Sequence, residues 1–66
     1  MTMVQAATLL DVLATLAIHY HVESGKAYLR GDIVGGEHLK REAIKIELRR
    51  ENLRTVLMFA IHHSLR

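Results

Sequence analysis

The chain has 66 residues, half of them hydrophobic, a net charge of +2 with the histidines neutral, and neither cysteine nor proline. That length allows one domain at most, with a marginal core, because a domain of this size removes only about 60% of its unfolded surface from water. The missing cysteines exclude a disulfide framework and thiolate zinc sites, and so small a net charge is no signature of nucleic acid by itself.

The first segment, about residues 2–23, carries helical periodicity. Advancing by the helical turn puts Thr8, Asp11, Thr15 and His19 on one narrow polar stripe, with Gln5 and Glu23 at its margin. Nearly everything else there is apolar. A membrane span needs about 20 mostly apolar residues, and an acid near the middle costs roughly 2.5 to 3.5 kcal/mol on insertion scales, so the ordered stripe argues against spanning. The apolar remainder reads as two seams of alternating three- and four-residue spacing. One holds Ala7, Leu10, Ala14, Ala17 and His21, and the other Leu9, Leu13, Leu16 and Tyr20. One neighbouring helix covers about one seam, so two seams call for neighbours on two sides.

All four glycines, Gly25, Gly31, Gly35 and Gly36, fall in the central window, and the reading there is a connection over about 24–36, open between a miniature β-hairpin around Arg30-Gly31-Asp32 and a helical turn over Lys26 to Arg30 followed by a loop. Gly25 is the expected C-terminal cap of the first helix, because a left-handed residue belongs there. Arg30-Gly31-Asp32 matches an integrin-binding triplet, but a plain turn is the stronger reading of three residues.

The second segment, about 36–64, aligns Leu39, Ala43, Ile46, Leu53, Leu57, Ala60 and Ser64 in one seam, with Arg50 in the missing step. A charge in a seam needs a partner, and Asp11 or a glutamate is the expected one. Its first half is otherwise a solvated face with opposite charges three or four residues apart, and from Val56 onward it is apolar around most of its circumference.

Two long helices and one turn predict an all-α antiparallel hairpin. Two helices cannot enclose both seams of the first, so the expected closure is a homodimer forming a four-helix bundle. The chemistry-bearing residues point to no reaction. No nucleophile, base and acid fall in register, the glycines match no phosphate-binding loop, and so short a chain lacks pocket walls, so the protein is read as no enzyme and as needing no cofactor. His19 with Glu23 and His38 with Glu42 have helical i, i+4 spacing, yet polar-stripe and helix-end roles explain them better than a metal does, and no metal is expected. His21 in the alanine seam reads as a buried neutral imidazole, and His62 and His63 as partners of a helix C-terminus.

Two surfaces remain. If the chain turns back near its middle, positions whose numbers sum to about 60 lie level, so the end of the second helix overhangs the start of the first. Met58, Phe59, Ile61, His62 and Leu65 would there form an apolar patch with a polar rim, either a contact for another protein or the completion of the dimer core. The alternative is a basic arc on the second helix, His38, Arg41, Lys45, Arg49 and Asn52, facing nucleic acid. The leading expectation is a small protein-interaction module or regulator. With no basic residue in Met1 to Leu10, no signal peptide is read, and a cytoplasmic location away from membranes is expected.

Overall fold

The computed structural model describes residues 2–64, and among these there are two helices and no strand: α1 (Met3–Leu29) and α2 (Ile33–Ser64). They form an antiparallel hairpin, a rod with extents of 54 × 16 × 13 Å. The all-helical hairpin expected from periodicity is therefore present. Its turn is much shorter than the glycine-rich window implied.

α1 opens on a capping box: the Thr2 hydroxyl accepts from the Gln5 N–H at 3.1 Å, and the Gln5 side-chain carbonyl accepts from the Thr2 N–H at 2.8 Å. It passes straight through Gly25, which is exposed and helical, so that residue is not the cap. Termination comes at Gly31, the one described position with a positive φ, 83°. The Gly31 N–H donates to the Tyr28 carbonyl and the Asp32 N–H to the Ala27 carbonyl, both at 2.9 Å. That paired closure is a Schellman motif, which requires a left-handed residue at this step. Asp32 then starts α2 at once. Its carboxylate accepts from the Gly35 N–H at 2.9 Å, which satisfies one of the free donors at the new helix end. Arg30, Gly31 and Asp32 thus make a turn and a cap.

Two of the cross-helix hydrogen bonds, those that reach backbone carbonyls, mark the register. Ser24 Oγ donates to the Gly36 carbonyl at 2.7 Å, and Arg50 Nε donates to the Leu10 carbonyl at 3.2 Å. Residue numbers sum to 60 in both pairs, which is the expected level-matching. The seam of α1 is Ala6, Leu10, Leu13, Ala17, Tyr20, Ser24 and Ala27, alternating by four and three. It lies about one residue round from the alanine seam read in the sequence: Ala7 and His21 are exposed while Ala6 is buried. A three-residue turn draws the helices together beside it, so the face richest in small residues near the turn wins. Ser24, Ala27, Gly36 and Ala43 are all buried there. A β-carbon on Gly36 would lie 2.9 Å from the Tyr28 ring, which measures how close the approach is. α2 contributes Gly36, Leu39, Ala43, Ile46, Arg50, Leu53, Leu57 and Ile61, with half-buried Ile61 replacing exposed Ala60 at the end.

Candidate interaction surface

A seam this rich in alanine, serine and glycine permits close backbones but encloses little. The buried hydrophobic residues are Ala6, Ala17, Ala27, Ala43 and Ile46, and among the described residues no large side chain is wholly buried. Large apolar side chains stay outside on both helices, including Val12, Ile18, Leu48, Val56, Met58 and Phe59. The seam's leucines are only half-buried, whereas a self-sufficient domain encloses them.

The end of α2 overhangs as the level-matching required. Met3 lies level with about residue 57, leaving roughly 10 Å of described helix, at 1.5 Å per residue, beyond the start of its partner. Met58 and Phe59 are 60% and 66% exposed, and His62 is exposed. Leu65 lies outside the described residues. The five positions do not make one continuous patch. Met58 and half-buried Ile61 turn toward Met3, Ala7 and Leu10 and line a shallow inter-helix groove. Phe59 points elsewhere, its ring centroid 4.2 Å from that of His63 one turn later.

The basic arc is in place: His38, Arg41, Lys45, Arg49 and Asn52 are all exposed. Lys45 is engaged locally, its ammonium 3.2 Å from the Glu42 carboxylate. Glu37 accepts a hydrogen bond from the Tyr28 hydroxyl at 2.5 Å, and that bond raises the Tyr28 pKa above its ordinary 10.0, helped by burial and by the Glu37 charge and opposed by Arg41.

Other titratable positions resolve differently from the sequence reading. His21 is exposed and pairs with Glu47 across the hairpin, so it is no buried imidazole. Arg50 reaches a backbone carbonyl rather than Asp11 or a glutamate, since an Arg at the seam meets the helix backbone before it meets the exposed Asp11 carboxylate. His19, Glu23, His38 and Glu42 do not converge: among the described residues no group of three or more His, Asp or Glu side chains is arranged to hold a metal.

What sequence reading passed over is a third stripe on α1. Gln5, Leu9, Val12, Leu16, His19 and Glu23 repeat by four and three on the flank facing away from His21. Leu9 and Leu16 carry the signal, as members of a seam whose other members, Leu13 and Tyr20, turn inward. A shallow open groove runs beside Val12 and Leu16, bounded by Thr8, Asp11, Thr15 and His19. No protein-family model, curated protein or solved structure matches the chain.

Proposed function

We propose that this hairpin is a small non-enzymatic interaction module that acts as a homodimer, completing a four-helix assembly and using the overhanging end of α2 to hold another protein. The observation that carries the reading is the incomplete enclosure of large apolar side chains: the seam's leucines are half-buried, and Val12, Ile18, Leu48, Val56, Met58 and Phe59 are outside. Exposed apolar area beyond ordinary scatter marks a surface that association covers. Phe59 serves as the anchor, being the one phenylalanine and two-thirds exposed. His62, exposed near it, supplies a polar rim, while Met58 faces the groove beside Met3 and Leu10.

A bilayer is the other common cover for an apolar helix, and α1 is long and apolar enough to cross one by length and composition alone. The register weighs against it. Arg41, Lys45, Glu47, Arg49, Arg50 and Glu51 lie level with the middle of α1, so inserting α1 within the hairpin drags these charges with it. Each costs roughly 2.5 to 3.5 kcal/mol at the centre of a membrane helix. The reading therefore keeps the protein off membranes and in the cytoplasm.

The test is affinity capture from the native host with wild type and with Phe59→Asp, the bound proteins being identified by mass spectrometry. A protein held by wild type and lost from a still-dimeric Phe59→Asp supports the reading. Equal recovery by both, or dissociation of the variant, overturns the partner site. The full exposure of His38, Arg41, Lys45, Arg49 and Asn52 favours one second reading, a nucleic-acid-binding dimer. Its signature is binding to DNA or RNA that weakens steeply with salt.

A further inference from the structure

We infer that two copies of this chain join through α1, packed antiparallel along the stripe Gln5, Leu9, Val12, Leu16, His19 and Glu23, with the two-fold axis passing by Val12. The inference rests on the dimeric reading above and assigns its face.

Area sets the scale. The hairpin exposes 5150 Å². A compact monomer of 7.5 kDa exposes about 4250 Å². The surplus of roughly 900 Å² is close to the roughly 800 Å² that each partner contributes to a standard interface.

Chemistry selects the face. Leu9, Val12 and Leu16 are 36%, 54% and 39% exposed, and their spacing keeps them in line along α1. Covering this flank removes few polar groups from water. Thr8 and Thr15 beside it carry no charge, the Thr8 hydroxyl already donates to the Val4 carbonyl at 2.9 Å, and Asp11 at the margin of the groove is the one acid beside Val12 and Leu16. Of the other exposed apolar side chains, Val4, Ile18 and Val22 share the side of α1 that carries Asp11, and Ile44 and Leu48 on α2 lie among Lys40, Arg41, Lys45, Glu47 and Glu51, whose desolvation opposes close packing.

Symmetry selects the direction. A two-fold interface sets one patch against itself, so the stripe must complement its own image. Turned end for end about Val12, it places Gln5 level with the partner's His19 and Leu9 within one residue of the level of the partner's Leu16, apolar centre on apolar centre and polar end on polar end. A parallel pair instead sets Glu23 against the partner's Glu23, two like charges at one level.

Because the chain has no cysteine, introduced thiols report directly. Leu9→Cys and Leu16→Cys proteins are mixed in equal amounts at micromolar concentration and mildly oxidised. The expected product is the mixed Leu9→Cys/Leu16→Cys disulfide, at least fivefold above either protein linked to itself, while Val12→Cys alone links to itself. Self-linking of Leu9→Cys equal to the mixed product means a parallel pair and overturns the direction. Absence of any linked product from a protein that sediments as a dimer puts the dimer on another face and overturns this inference alone. A wild-type monomer overturns both it and the dimeric reading. Val12→Asp gives an independent check, since a half-exposed position tolerates a carboxylate within one hairpin. Dimer dissociation constants should rise at least 100-fold with helicity retained, and an unchanged constant rejects the face.

Discussion

Three residues connect local chemistry to the hairpin's geometry. Arg50 lies half-buried in the seam and donates to the Leu10 carbonyl. Arg50→Ala removes that bond and the packing of its stem, so urea unfolding should show a loss of about 1 to 2 kcal/mol. Asp11→Asn should change stability by less than about 0.5 kcal/mol, because Asp11 is exposed and shares no bond with Arg50. An equal loss in both variants would restore the ion pair read from the sequence. Gly36 carries the close approach: a β-carbon there meets the Tyr28 ring at 2.9 Å, and that ring is held by its bond to Glu37. Gly36→Ala should therefore cost about 1 to 3 kcal/mol through overpacking. Tyr28 carries the pH dependence. Its folded pKa is raised, chiefly by the hydrogen bond to Glu37, so folding favours the neutral phenol. The stability this contributes is complete below the unfolded value of 10.0 and is lost as pH rises through the higher folded value. In Tyr20→Phe protein, where Tyr28 is the one remaining tyrosine, the ultraviolet phenolate titration should have its midpoint above 10.0. A midpoint at or below that value contradicts the bond.

At the scale of elements, the turn decides more than either helix does. Gly31→Ala forces a β-carbon into the left-handed region and should cost about 1 to 2 kcal/mol, whereas Gly25→Ala, at an exposed helical site with nothing near, should stabilise by roughly 0.5 to 1 kcal/mol. Thermal unfolding of the two variants in opposite directions is the check. This contrast also explains what was legible. Thr8, Asp11, Thr15 and His19 declare α1 and its outer side, because four polar residues at helical spacing in an apolar run have one reading. Gly25, Gly35 and Gly36 mislead, because a glycine tolerated in a helix looks the same in sequence as one required in a turn. The seam of α1 was displaced for a similar reason: Ala6 and Ala7 are identical by type. The choice between them is made far away, by Ser24, Ala27 and Gly36 at the turn. The overhang of α2 was readable because it depends on register alone. Its division into a Met58/Ile61 side and a Phe59 side depends on the angle between residues a few positions apart, which a run of apolar letters conceals.

For the whole molecule, the hairpin is a finished backbone with an unfinished core. The start of α1 and both helix ends at the turn are capped, yet among the described residues no large side chain is fully enclosed and the rod presents leucine, valine, isoleucine and phenylalanine to solvent. A small chain without disulfides has association as its usual remedy, and the account assigns that role to a second copy. The same logic separates two surfaces by function: α1 for the copy, the end of α2 for another protein. Sedimentation equilibrium at micromolar concentration tests the core of this account most directly. The predicted result is a single species of twice the 7.5 kDa chain mass, with Phe59→Asp sedimenting the same way, and a folded helical species of 7.5 kDa would contradict it.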